Sequence, residues 1–357
     1  MERDGGRPEE ASVQPGPVLV FGSGETTPGS QRAYNWLFSR FAPPVRVAVL
    51  ETPAGFEPNS AQVAGRVADF IAHHLRNYRP EVTVVPARRR GTELGPDNPD
   101  ILEPLFQADI VFAGPGSPTY AVRHLKGSLA WHILCARHRL GAGIIVASAA
   151  TISISRCALP VYEIYKAGAD LHWEDGLGFF APFGLNLVFV PHWNNAEGGA
   201  DLDTSRCFMG QSRFEALLRM LPPGITVVGV EEHTTLAVDV ADRHCEVLGS
   251  GGAVVLRSDG QRRFESGSTF AITTLGDLCS PEPGEGIPSQ VWRQALAART
   301  AKLAPLKPSA EVLSLMQRRE EARALRDYAT ADALRRRIAA MGWEVRDTAG
   351  GTQLERN

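Results

Sequence analysis

Short apolar, β-branched runs alternate with longer amphipathic stretches over the first half of the chain. Val18–Phe21, Val45–Leu50, Val82–Val85, Ile110–Ala113 and Ile144–Ala147 have the length and composition of buried strands. Between them, Gln31–Phe41, Ala61–Asn77, Pro99–Gln107 and the stretch running to Leu140 carry helical spacing. Strands separated by helices of this length predict βαβ units, a mostly parallel sheet and right-handed crossovers. The predicted class is therefore α/β, a three-layer sandwich around a mostly parallel sheet. Functional residues in such a sheet belong at the carboxyl ends of strands.

The pattern changes after Leu236. Leu236–Val240, Arg243–Leu248, Ala253–Arg257 and Arg262–Phe264 are short alternating runs separated by Ser-Gly-Gly and Ser-Asp-Gly, which predict antiparallel hairpins finishing the domain. Ser280–Pro288, rich in Pro, Gly and Glu, reads as a linker; a helix, Ser289–Leu303, and a proline-containing break, Pro305–Pro308, follow. Ser309 can cap a helix to about Arg326, a second helix spans about Thr330–Met341, and Gly342 is a good stop. Trp343–Asp347 and Thr352–Leu354 flank a Gly-Gly turn and predict a small hairpin. The expected organisation is a disordered leader (1–16), an α/β domain (17–279), a connecting segment (280–308) and a small helical-hairpin module (309–357). A module of that size buries little core alone and is expected to pack on something.

Composition narrows the function classes. A formal charge of -3 gives no overall basic excess for wrapping nucleic acid, although a local patch stays open. No apolar run reaches the roughly 18–20 residues of a membrane span, and Met1–Pro17 is polar without a signal-peptide core. The five cysteines are scattered, odd in number and free of C-x-x-C pairs, so reduced thiols in a cytoplasm are the plain reading. His192, His233 and the carboxylates show no closed metal-site spacing, and no cofactor or metal is expected. Gly22-Ser-Gly-Glu25 lacks both the G-x-G-x-x-G spacing and the lysine of a P-loop, and Glu25 would repel phosphate.

Ser148 ends the apolar run Ile144–Ala147 where a helix is expected to start, the placement of a nucleophile elbow. A nucleophilic serine needs a base, a group that orients the base, and donors for the developing oxyanion. His192 follows the run Leu187–Pro191, Glu232 follows Thr226–Val230, and the glycines of Ala113-Gly-Pro-Gly-Ser117 can aim N–H groups at a substrate oxygen. Four features at strand ends of one sheet would meet on one rim. Each has a plainer reading: Ser148 as a helix cap, His192 as a packed histidine, Glu232 beside Glu231 as a solvated pair, Gly114 and Gly116 as a tight turn. Against the elbow stand Val146 and Ala150, whose Cβ atoms occupy the places where an elbow carries glycine. A serine hydrolase and a non-catalytic binding module are both compatible with these residues.

In chain order, Gly22-Ser-Gly-Glu25, Thr52-Pro-Ala54, Ala113-Gly-Pro-Gly-Ser117 with Leu125, Ala147-Ser-Ala-Ala-Thr151, Gly176-Leu-Gly-Phe-Phe180 with Pro191-His192, and Gly229-Val-Glu-Glu-His-Thr-Thr235 form a series of motifs. The series resembles the cyanophycinase/dipeptidase E serine peptidases of the class I glutamine amidotransferase-like fold, over about 17–270. The resemblance implies Ser148 as nucleophile, His192 as general base and Glu232 as its orienting acid, with Gly116 and Ala149 as oxyanion donors. It also implies that Glu25 and Thr52 line or brace the cleft, and Ser117, Asn194 and Asn195 join them as candidate cleft-lining residues. The arginine-rich stretch that follows His-Phe in the family is replaced by His192-Trp-Asn-Asn-Ala-Glu-Gly-Gly199, so acidic-peptide specificity does not carry over. The substrate expected is a small molecule or peptide, and the enzyme is a candidate homo-oligomer.

The tail has a resemblance of its own. Arg319-Glu-Glu-Ala-Arg323, Asp327-Tyr-Ala-Thr-Ala-Asp332, Leu334-Arg335, Gly342 and Asp347-Thr348 with Gly351-Thr352 resemble the C-terminal end of bacterial cysteinyl-tRNA synthetases, over about 310–354. That likeness implies a tRNA contact, with Arg319, Arg323, Arg335 and Arg336 as candidate phosphate ligands. The alternative is a solvated helical pair whose acids balance its arginines and which docks on protein. The chain carries no His-x-Gly-His or Lys-Met-Ser-Lys-like motif and no zinc-cysteine set, so it is not itself read as a synthetase.

Overall fold

The computed structural model describes residues 14–303, 309–348 and 351–356. The predicted leader and the Pro305–Pro308 break fall largely or wholly outside them. Two compact units are present, Met1–Arg299 and Thr300–Asn357.

In the first unit, β1 (Val18–Phe21), β2 (Arg46–Leu50), β3 (Glu81–Val85), β4 (Ile110–Ala113) and β5 (Gly143–Ala147) form the parallel half of a sheet in the order β3-β2-β4-β5-β1. The apolar runs of β1, β4 and β5 are buried end to end, and that of β2 nearly so, because helices cover both faces, among them Gln31–Phe38, Ser60–His74 and Leu129–Arg139; β3, at the sheet edge, buries only Val85 fully. A short ladder joins β6 (Cys157–Ala158) to β7 (Glu174–Asp175). Further along come β8 (Leu187–Val190), β9 (Thr226–Val230), β10 (Thr234–Asp239), β11 (His244–Gly249), β12 (Gly252–Arg257), β13 (Gly260–Glu265) and β14 (Thr269–Ala271). The first sheet continues antiparallel as β1-β10-β11-β14, giving eight strands in a mixed sheet with a parallel core. The α/β class predicted from the periodicity is thus the observed one.

One expectation is corrected: the strand ends do not belong to one sheet. β8 and β9 pair parallel in a second, four-stranded sheet ordered β13-β12-β9-β8. The chain leaves this sheet at Glu231–His233 and returns at Ser250–Gly251, so the hairpins β10–β11 and β12–β13 serve different sheets. Burial explains the split. Every residue of β9 and β10 is buried, so each strand needs cover on both faces, and one apolar cluster containing Val228, Val230, Leu236, Val238 and Val255 supplies it.

The predicted linker is packed rather than free. Arg139 donates to the Glu282 carbonyl at 2.9 Å, and Val291 and Ala295 of the helix Ser289–Leu303 enter the main core.

In the second unit, helices Ala310–Ala324 and Tyr328–Ala340 precede the hairpin β15 (Trp343–Thr348) and β16 (Gly351–Arg356). Val312, Leu315, Leu334, Ile338 and Val345 close its small core. Ser309 and Asp327 cap the helices through Val312 N and Thr330 N.

Candidate active site

Ser148 lies between β5 and the short helix Ala149–Ser153 with φ 51° and ψ -114°. This backbone is costly for any residue with a Cβ and is the sharp strand-to-helix turn of an elbow. The elbow forms although Val146 and Ala150 replace glycine. Val146 lies in the core on the same side as Ala150, and both line an apolar gap with Ala113, Ala121 and Leu177. The gap, with Ala113 and Ala121 beside it, leaves room for the extra methyl groups. Ser148 does not cap the helix, and its Oγ forms no hydrogen bond among the described residues.

The loop that carries Gly116 is tied to the start of the helix after Ser148. Ala150 N donates to the Gly114 carbonyl at 3.3 Å, joining the helix start to the glycine loop after β4. Among the described residues, neither Gly116 N–H nor Ala149 N–H has a hydrogen-bond partner. Gly116 has φ 145°, and Ser117 N donates to the Pro53 carbonyl at 2.9 Å. Pro53 is braced in turn: Thr52 Oγ1 donates to the Ala87 carbonyl, and Arg88 Nε pairs with buried Glu51 at 2.8 Å. Thr52 therefore braces the loop from the inside. Ser117 caps the helix Pro118–Leu125 by accepting from Tyr120 N at 3.2 Å. Glu25 is half-buried, and its carbonyl accepts from the Tyr34 hydroxyl at 2.8 Å.

From the second sheet, His192 follows β8 and Glu232 follows β9. Parallel pairing of these strands sets the two residues side by side, with His192 Nδ1 3.2 Å from Glu232 Oε1. An N–H on Nδ1 then donates to the carboxylate and leaves Nε2 as the basic nitrogen. No hydrogen bond joins Nε2 to Ser148 among the described residues. The two adjacent acids part company: Glu231 turns to Arg263 (3.0 and 2.9 Å) and the Gly252 N–H (2.8 Å). Arg263 hydrogen bonds hold the Glu231 carboxyl below its usual range. Only Glu232 is left for the histidine.

Asn194 and Asn195 contact Glu232. Glu232 N donates to Asn194 Oδ1 at 2.8 Å, and Asn195 Nδ2 donates to Glu232 Oε1 at 3.0 Å. Behind them, Trp193 lies on β9 at Gly229, where a Cβ would come within 2.9 Å of ring atom Cε2 and closer to two others. The Arg206 guanidinium stacks over that ring, 4.0 Å from its centroid.

A further element of the site lies at residues whose types do not signal it. Arg206, Cys207 and Phe208 have φ of 57°, 57° and 69°, a left-handed turn built without glycine. Each such residue costs about 1–2 kcal/mol. The turn is tied to the site by Arg206 N to the Trp193 carbonyl (2.9 Å) and Cys207 N to the His192 carbonyl (3.2 Å). Burial, with Glu232 adding to it, pushes the Cys207 thiol up to about 12, so this cysteine stays protonated.

One group of potential metal ligands occurs among the described residues, also unforeseen: Asp239, Asp242 and His244, whose ligand atoms lie within 4.8 Å of one another. Arg40 already pairs with both carboxylates, at 3.2 and 3.8 Å. In the tail, Arg319 is buried and bound bidentate by Asp347 (3.0 and 2.8 Å), and Arg323 pairs with the same carboxylate. Arg335 and Arg336 are exposed and have no ion pair among the described residues. Among the described residues, no helix is long and apolar enough to cross a membrane.

Known proteins resemble the two units separately. A peptidase from an acI-B1 Actinobacterium superposes with a TM-score of 0.58 at 18% identity, covering 73% of this chain and 98% of that one. The α/β unit has that peptidase's fold. A putative peptidase E from Listeria monocytogenes EGD-e matches with a TM-score of 0.41 at 12% identity, over 70% of this chain and 98% of that one. Residues 308–354 match the family model of the cysteinyl-tRNA ligase anticodon binding domain. A cysteine–tRNA ligase of Nitratidesulfovibrio vulgaris is 37% identical over 101 residues, 27% of this chain. The chain spans about a fifth of that ligase's length and less of two further ligases.

Proposed function

We propose that this protein is a cytoplasmic serine hydrolase, of peptidase or amidase type, acting on a small amide or ester through Ser148, His192 and Glu232. The observation that carries the reading is the Ser148 backbone, φ 51° and ψ -114°, held at a strand end. A serine needed only as a cap or for packing has no use for that strain. The His192–Glu232 pair and the two unpartnered amides supply the remaining parts. His192 Nε2 takes the Ser148 proton as Oγ attacks the carbonyl, and the oxyanion accepts from Gly116 N–H and Ala149 N–H. Collapse expels the leaving amine or alcohol with that proton and leaves an acyl-serine, which water hydrolyses by the same base. That no Ser148–His192 hydrogen bond occurs among the described residues is compatible with a resting site, because such bonds commonly tighten only when substrate is bound. The test is a fluorophosphonate probe: the wild type becomes labelled and Ser148→Ala does not. Equal labelling of both, or none of either, leaves the fold as a non-catalytic binding module.

A second reading concerns the tail. Exposed Arg335 and Arg336, together with the similarity to an anticodon binding domain, support contact with tRNA. Salt-sensitive tRNA binding that vanishes on deletion of the residues after Pro308 is the expected result. Binding that survives the deletion rejects it.

A further inference from the structure

We infer that Asn195 is a positioning residue, a fourth member of the Ser148–His192–Glu232 array that fixes the face Glu232 presents to His192. The inference rests on the hydrolase reading above. Asn195 is 3% exposed, and its amide sits between two groups of opposite demand. Its Oδ1 accepts from the backbone N–H of Glu197 at 3.2 Å, and its Nδ2 donates to Glu232 Oε1 at 3.0 Å. Only one orientation of the amide serves a backbone donor and a carboxylate together, so the assignment of oxygen and nitrogen is fixed by its partners.

The same oxygen, Glu232 Oε1, receives both Asn195 Nδ2 and His192 Nδ1. A carboxylate on a half-exposed loop can rotate about its last bond and offer either oxygen, or turn to water. A buried amide anchored to the main chain at Glu197 removes that freedom. The neighbouring Asn194 does the same for the backbone, accepting from Glu232 N at 2.8 Å. Consecutive asparagines thus hold the main chain and the side chain of one acid. They follow His192 by two and three residues, so base and acid are braced by a single turn whose Asn195 N donates to the His192 carbonyl at 3.1 Å. This is the segment in which the chain departs from the motif it otherwise resembles. The departure supplies the acid's support.

Asn195→Asp and Asn195→Ala separate this role from simple loop building. Aspartate is isosteric and keeps an acceptor for Glu197 N–H, the usual Asx turn, but has no donor for Glu232 and adds repulsion. Alanine removes both. Two readouts apply to the full chain: kcat and KM with fluorophosphonate labelling rate, and the downfield proton resonance of His192 Nδ1–H, identified by its loss in Glu232→Gln. The expected result is a fall in kcat and labelling of about tenfold or more in both variants, with KM changed less than threefold. The Nδ1–H resonance should broaden or vanish in both. An Asn195→Asp protein with wild-type rate and resonance, beside an impaired Asn195→Ala, shows a loop role only and overturns the inference. So does a wild-type resonance in both variants. Because the resonance does not require turnover, it tests the positioning role even if Ser148 proves unreactive, a result that would defeat the hydrolase reading alone.

Discussion

Gly116→Ala tests the proposed oxyanion site directly. At this position φ is 145°, in the region that glycine favours, and a Cβ would lie 2.6 Å from Ala54 N and closer still to the Pro53 carbonyl. Those atoms are backbone, and the Pro53 segment is held by the Thr52 hydroxyl and the Glu51–Arg88 pair, so it cannot retreat as a flexible side chain would. The loop after β4 must therefore shift by on the order of 1 Å, enough to lose an oriented donor. Losing one oxyanion donor typically lowers kcat by about 10²–10³, equivalent to about 2.7–4 kcal/mol. Stability should fall by about 1–3 kcal/mol from overpacking and strain. Kinetics of a small ester or amide, with the melting temperature of the same sample, separate the two effects. Gly127→Ala is the control, since Gly127 also has positive φ (68°) but open space around it. It should lose about 1 kcal/mol of stability and no rate. A folded Gly116→Ala enzyme within threefold of the wild-type kcat would refute the placement of the oxyanion at Gly116.

Three further outcomes follow from packing and charge. Val146→Gly restores the glycine of the usual elbow but empties a fully buried position; it should cost about 3 kcal/mol and give no faster labelling, and a tenfold gain would mean that Val146 does obstruct Ser148. Gly229→Ala drives a methyl into the Trp193 ring; it should cost about 1–3 kcal/mol and reduce kcat through the His192 turn, whereas unchanged kinetics would uncouple Trp193 from the site. Asp347→Ala leaves the buried Arg319 without its carboxylate and should cost the tail about 2–3 kcal/mol, discounted because Asp347 is 40% exposed. The Arg319 hydrogen bonds hold the Asp347 carboxyl well below its usual range, so this stabilisation is full above about pH 3.9, the unfolded value, and is lost as pH falls through the lower folded value. A fluorotryptophan resonance at Trp343 should show acid loosening that Asp347→Ala already displays at neutral pH; identical acid profiles would reject the linkage.

The parallel half of the sheet was legible because its signal is local. The buried runs Val18–Phe21 and Ile110–Ala113 end where their apolar residues end. The hairpins were legible too, as alternating runs between glycine turns. Which sheet each strand joins was not, because β9 and β10 are both buried throughout and nothing in either run says which neighbour supplies the cover. The left-handed turn at Arg206–Phe208 was invisible for a related reason: its residues do not favour positive φ, and only tertiary hydrogen bonds to His192 and Trp193 hold them there. Asn194 and Asn195 looked like groups for a ligand, since polar residues in a glycine-rich loop usually face solvent. Their contact with Glu232, far away in sequence, required the pairing of β8 with β9.

Val146 shows why a missing glycine weighs less than the dihedral it normally permits. Along β5 side chains alternate between two cores, with Ile144 and Val146 in one and Ile145 and Ala147 in the other. A Cβ at Val146 therefore meets the gap shared with Ala113, Ala121 and Ala150, not the Ser148 hydroxyl. The gap beside Ala113 and Ala121 gives the room that an elbow glycine gives locally. The sharp turn itself depends on Ser148, whose φ of 51° survives the substitution. The valine at position 146 is therefore no obstacle to the turn at Ser148. The decisive quantity is where the Ser148 backbone sits when Val146 is present, and it sits in the elbow.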